Sequence, residues 1–321
     1  MKARGGLWAV ATSLLALTLS AAAGAQDWPT KPVRLILNYA PGGSTDNATR
    51  PFAERLSTAL GQQFVIENKS GAAGAIGVEA GIKSPPDGYN FFVTPVASVT
   101  VLPNARKTPY DPFADMLPIA QFADSTLIFA IHPSVPANSI QEFVAYAKAH
   151  PGKLNFGSSG LGTLTQMVIE TLNKVTGTKV EHIPYRGGSE SLADFLAGHV
   201  QAFSEGNALP HIKAGKAKLL AVVDSERHPD TTDVPMINAN HPEYDIIHWL
   251  GLFAPKGTPE PIIRKLNAEV NKIAVLPEIK EHFQKLALKP RVSTPEEFGA
   301  RLRKDYDRYG ALVKELNIRL E

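Results

Sequence analysis

The chain of 321 residues contains no cysteine. That absence excludes every disulfide and a lipid-modified N-terminal cysteine, so stability has to come from the packed core alone. Long apolar runs are scarce as well. The longest candidate, from Leu7 to Leu19, holds about 13 residues, short of the roughly 20 that span a bilayer. Lys2 and Arg4 precede it and Ala23-Gly24-Ala25 follows it, so residues 1–25 read as a secretory leader cut after Ala25. An excess of either charge is also missing. Removing that leader takes away Lys2 and Arg4 and no acid, which leaves the basic residues equal in number to the 31 acidic ones. Such a balance argues against a nucleic-acid surface and against a polybasic membrane patch.

What is present is an ordinary globular composition, 44% hydrophobic, over a length beyond the roughly 100 to 200 residues of one domain. Short apolar runs alternate with helical periodicity, the pattern of an α/β chain built from strand-helix units. Strands are expected at 33–39 (VRLILNY), 64–68, 90–94, 153–157, 180–185, 200–204 and 217–223. Helices are expected between them, several ending at glycine, and a further long helix starts near Thr294. Two extended segments break the rhythm, 117–132 (LPIAQFADSTLIFAIH) and 245–255 (DIIHWLGLFAP). They are expected to cross between lobes, with residues 26–124 and 253–321 forming one lobe and 125–252 the other. The C-terminal helix can reach the second lobe. A double hinge of this kind leaves a cleft.

Four glycine-rich turns each follow an expected strand and precede an expected helix: APGGSTD (40–46), NKSGAAGAIG (68–77), FGSSGLGTLTQ (156–166) and PYRGGSES (184–191). Glycine lets backbone approach a ligand closely, and the free N–H groups at a helix start favour an anion. Two turns fall in each lobe, so a small carboxylate can be gripped from both sides, with Ser44, Thr45, Ser158, Ser159 and Thr163 adding hydroxyl donors. Asp46 would repel such a guest. It is therefore expected to cap the helix or fasten the loop, aiming the remaining amides inward. A helix starting at Asp46 places Pro51 in its second turn, whereas a start at Arg50 places it at the favoured first position; the residues leave both open. Arg186, beside Gly187, is the best candidate for an ion pair with a ligand carboxylate. Tyr39 and Trp249 stand beside turn and hinge, where each can wall the cleft or fill the core. The loops PVASV (95–99, with Ala97 and Ser98) and SEGNAL (204–209) hold side chains that would discriminate ligands. Within the latter, Glu205 would repel a second ligand carboxylate or pair with a ligand amine.

Catalytic signatures are thin. GAAGAIG lacks the G-x-G opening of a dinucleotide loop, no Walker loop occurs, and no G-x-S-x-G elbow is present. The histidines show no metal-ligand spacing, and His182 and His199 read as structural or surface residues. No cofactor or metal is expected. The rival reading is an exported α/β hydrolase acting on an ester or amide of a carboxylic acid.

The motifs APGGSTD, GAAGAIG, PPDGY, HPGKLNFGSSGLGT, HIPYRGGSESLADFLAGHV and WLGLFAPKGTPEPI resemble the Bug family of periplasmic solute-binding proteins, receptors related to tripartite tricarboxylate transporters. The similarity runs over essentially the whole mature chain and in the family's order. It implies a two-lobed flytrap fold, each lobe a mixed sheet flanked by helices, with no catalysis and a carboxylated ligand held largely by backbone amides. The family's first ligand loop matches Gly42, Gly43, Ser44, Thr45 and Asp46. Its second-lobe loop matches Ser158, Ser159, Gly160 and Thr163. Ser70 replaces a frequent proline, and Pro51 follows the usual arginine, a departure that bears on the first helix. The expectation is a periplasmic, monomeric receptor that passes a small organic acid to membrane transporter subunits or to a sensor.

Overall fold

The structure, a computed structural model, describes residues 28–224, 226–239, 244 and 246–320. The leader assigned to residues 1–25 lies outside the described residues. Apolar runs rich in Val, Ile, Leu and Phe form two sheets. In the first, β1 (Val33–Leu37) lies parallel between β2 (Phe64–Asn68) and β3 (Asn90–Pro95). Next to β3, the antiparallel β10 (His248–Pro255) separates it from β4 (Met116–Ser125), and β11 (Leu288–Pro290) closes the edge against β4. The second sheet orders β7 (Glu181–Pro184), β6 (Asn155–Ser158), β8 (Ala202–Phe203), β5 (Leu127–Ile131) and β9 (Lys218–Val223). There β6 is parallel to β7 and β8, while β5 is antiparallel to β8 and β9. Both sheets are mixed and flanked by helices.

Alternation along the strands decides what packs on each face. Val33, Leu35 and Leu37 of β1 face one cluster, with α1 (Ser44–Leu60), α8 (Glu260–Ala274) and α9 (Pro277–Lys285). Ile36 faces the other, which takes in α2 (Ala75–Ile82), α3 (Val96–Ala105) and α10 (Pro295–Glu315). That second cluster continues past the first sheet. It includes Leu127, Phe129 and Ile131 of β5 together with α4 (Ile140–Ala149) and α5 (Leu164–Thr176). The opposite face of β5, Ile128 and Ala130, packs with α6 (Gly188–Leu196) and α7 (Leu209–Lys213). One apolar core therefore passes through both lobes.

Segment 117–132 divides at Thr126: β4 belongs to the first sheet and β5 to the second. The Thr126 N–H, freed by the switch, donates to Ala287 O at 2.8 Å. The other segment behaves differently. From His248 opposite Ser125 to Pro255 opposite Met116, β10 pairs only within the first sheet. Its residues from Trp249 on are buried and find ladder partners there, so the chain has already changed sheets by His248, ahead of the expected boundary at 252/253.

One helix settles an open alternative and another replaces an expected loop. α1 begins at Ser44, with Gly43 as its N-cap, and Pro51 stands inside it. A proline there deprives the Asn47 carbonyl of its helical donor; the His282 imidazole from α9 reaches that oxygen instead, at 3.1 Å. The segment from Val96 on is a helix rather than a loop. Val96, Val99, Thr100 and Val101 are β-branched and poor helix formers, but the residues from Val96 to Leu102 are all buried, and packing outweighs propensity. α10 lies against it, with Asn104 donating to Tyr306 O at 3.2 Å. From the same helix the Tyr309 hydroxyl donates to Ile247 O (2.6 Å) and accepts from Ile247 N–H (2.9 Å). Its last residue, Glu315, pairs with Lys174 of α5 at 2.9 Å. The C-terminal helix is thus seated on the first sheet and touches the second lobe.

Candidate functional site

The turn after β1 is built around Asp46. Its carboxylate accepts from Gly42 N–H at 2.9 Å, from Asn68 Nδ2 at 3.1 Å and from both Nε and Nη2 of Arg50. Burial works to raise this carboxyl, yet the Arg50, Gly42 and Asn68 donors outweigh it and hold Asp46 below the usual carboxylate range. Gly42 sits at φ +79°, a conformation that favours glycine, whereas Gly43 is extended. Asp46 thus fastens the loop with its charge neutralised. Gly43, Ser44 and Thr45 are left facing a cavity between the sheets, together with Tyr39 and Ala40.

From the second sheet comes the turn after β6. Thr163 caps α5, its hydroxyl donating to Gly160 O at 2.7 Å, and Ser159 N–H donates to Thr165 Oγ1 at 3.0 Å. Ser159, Thr163, Leu164 and Thr165 line the same cavity, and the start of α6 adds Gly187, Gly188 and Ser189. Four helix starts, those of α1 and α3 from the first lobe and of α5 and α6 from the second, therefore converge on one space. Ala97, Pro95, Ser125, Leu127 and His248 form the hinge-side wall.

Glu205 projects into this space. Only 8% of the residue is exposed, and burial pushes its carboxyl up to about 7 against the lowering effect of the Ser159 and Ser44 hydroxyls. Ser44 Oγ donates to Glu205 Oε2 at 3.2 Å, and Ser189 Oγ donates to Pro41 O at 3.4 Å, so both bonds join the lobes. The enclosed volume is ≈40 Å³, room for a few waters. Burial also pushes the Tyr39 hydroxyl up to about 12 and the His248 imidazole down to about 4. Both are neutral around pH 7.

The remaining expected site residues lie elsewhere. Ser98 is fully buried, its hydroxyl donating to Ala73 O at 3.0 Å and accepting from Asn38. Gly74 and Gly77 pack so close to Asn38 that a Cβ on either would sit 2.3 and 2.5 Å from its atoms. Gly74 and Gly77 therefore serve the contact of α2 with the end of β1, and their turn opens onto a second, outer cavity. Arg186 lies there too, exposed. Ser158 Oγ is 2.5 Å from His182 Nε2, the kind of pair a serine nucleophile uses. Ser158 is fully buried, however, and its hydroxyl also accepts from Gly160 N–H at 3.1 Å. The pair holds the turn in shape. Among the described residues no group of three or more His, Asp or Glu side chains could hold a metal ion.

A model of the TctC family, described as the tripartite tricarboxylate transporter family receptor, matches residues 48–318. The chain belongs to this family. Protein BugT of Bordetella pertussis is 30% identical over 311 residues, 94% of each chain. Among solved structures, the periplasmic binding protein BugD superposes with a TM-score of 0.86 at 28% identity, covering 92% of this chain and 100% of BugD. Rpa4515 of R. palustris with adipate gives 0.85 at 29% identity, covering 91% and 99%. MatC of Rhodopseudomonas palustris with bound malate gives 0.84 at 27%, covering 89% and 100%. The chain is thus a member of a Bug-type solute-binding receptor family with the two-lobed periplasmic-binding-protein fold.

For a TctC receptor, the wall formed by Ser125, Leu127 and His248 was not visible as a site in the sequence. Those residues belong to apolar hinge segments, and their only signal is a polar side chain at the end of each run. Gly188 and Ser189 were signalled by the glycine pair at 187–188.

Proposed function

We propose that this chain is an exported receptor that closes two lobes around a small organic carboxylate and delivers it to a membrane transporter. The observation that carries the reading is the convergence of helix starts from both lobes on one cavity. Backbone N–H groups at those helix starts match the charge and acceptor geometry of a carboxylate. The adipate and malate of the two R. palustris neighbours belong to the same chemical class. Residues 28–125 with 248–320 act as one lobe and the intervening block as the other, closing about the strands that meet at Thr126. In this reading the chain is a monomer of the periplasm and performs no chemistry on its ligand.

Thermal-shift screening over a panel of organic acids, followed by calorimetry, tests the reading. A true ligand raises Tm with the logarithm of its concentration over Kd, and Gly43→Arg, which fills the cavity, abolishes the shift while leaving the fold intact. Saturable binding that survives Gly43→Arg would place the ligand elsewhere. Turnover of an ester or amide would favour a hydrolase.

A further inference from the structure

Among the described residues lining the inner cavity there is no Lys or Arg, and Glu205 is the one acid. Its carboxylate lies against the first turn of α6, where a Cβ on Gly188 would meet Oε2 at 2.0 Å. That helix start already faces a carboxylate belonging to the protein, which leaves the starts of α1, α3 and α5 for a ligand's. The partners of Glu205 are the hydroxyls of Ser44 and Ser159, one from each lobe. Hydroxyls satisfy acceptor sites but bring no compensating charge, and Arg186 opens onto the outer cavity instead. A buried carboxylate without a cation is costly, and a second carboxylate beside it more so.

We propose that Glu205 makes this cleft select a carboxylate that also carries a protonated amine, an amino acid in its zwitterionic form, over a dicarboxylate of the same length. The proposal rests on the receptor reading above and narrows its ligand class. The ligand's carboxylate takes the remaining helix starts and its ammonium completes Glu205, so one molecule satisfies both poles of the cavity. The remaining groups around Glu205 do not compete for this role: Tyr39 and His248 are neutral near pH 7, and α6 presents Gly188, which has no side chain. With its carboxyl pushed up to about 7, Glu205 has to lose a proton to meet an ammonium. Amino-acid affinity therefore rises with pH through that range, while dicarboxylate affinity falls.

The test is calorimetric titration of the purified protein with short α- and ω-amino acids and with mono- and dicarboxylates of matching length, at about pH 6 and pH 8. The expected result is that the best amino acid binds at least about tenfold tighter than the matching dicarboxylate and monocarboxylate at the higher pH. Glu205→Gln should erase that preference and its pH dependence. A dicarboxylate or plain monocarboxylate as the tightest ligand overturns the proposal and leaves the receptor reading standing; so does a preference unchanged in Glu205→Gln. If no carboxylate of any kind binds, both fall. The wild-type ranking and its pH trend give the answer even if Glu205→Gln folds poorly.

Discussion

Asp46 and Glu205 are both buried carboxylates beside helix starts, and their surroundings drive them in opposite directions. Asp46 is surrounded by donors, a guanidinium among them, and is held below its usual range. Its contribution to stability is present at neutral pH and is lost as pH falls through its folded value. Glu205 has only hydroxyls, and burial raises it to about 7 from the ordinary 4.5. A raised acid favours folding below its unfolded pKa and loses that advantage as pH climbs through the folded one. Glu205→Gln is therefore expected to stabilise the protein by about 3 kcal/mol above pH 7. The gain should shrink to nothing near pH 4.5. Urea denaturation at the two extremes measures it, and a gain that persists in acid would mean that burial of the charge is not the cause.

At the scale of elements, Pro51 and His282 form one unit. Removing the imidazole leaves the Asn47 carbonyl without a donor, so His282→Ala should cost about 1 kcal/mol. In a Pro51→Ala background the helix supplies its own N–H, and the cost should fall to near zero. A double-mutant cycle in urea gives the coupling; additive losses would refute it. Much of this level was legible in the chain. β1, β2 and β3 are apolar, β-branched or aromatic runs bounded by turn residues, and they appear within two residues of expectation. α3 was hidden because PVASV, rich in Val and opened by a proline, reads as a loop. What makes it a helix is α10, which lies nearly two hundred residues away. The candidate site divides the same way. Gly43, Ser44, Thr45, Ser159, Thr163 and Gly187 are local turn chemistry and line the cavity, with Tyr39 and Ala97 beside them. Whether a glycine faces a ligand or a neighbouring Asn38 is a tertiary fact, and so is whether Arg186 points inward.

At the scale of the molecule the two sheets are tied beside the hinge. Lys289 of β11 reaches Asp224, just past β9, at 3.3 Å and Glu226 O at 2.9 Å. Its side chain is 16% exposed and that of Asp224 6%, so the pair is largely out of water. Lys289→Met should destabilise the protein by about 1.5 to 3 kcal/mol, because it removes a charged hydrogen-bond partner from a buried carboxylate. Chemical denaturation checks the figure, and a loss below about 0.5 kcal/mol would class the pair with ordinary surface pairs.

β10 sits between β3 and β4, although some 120 residues of the second lobe separate it from them in the chain. A polypeptide emerging N-terminus first, from a ribosome or through a translocation pore, accordingly makes β3 and β4 long before the strand that joins them. Until residue 255 arrives, each carries a bare edge, open to pairing with a stranger. Assembly of the first sheet waits on a late and distant ladder, which makes folding slow by topology. In the exported-receptor reading proposed above, the same delay keeps the chain threadable for passage through a membrane.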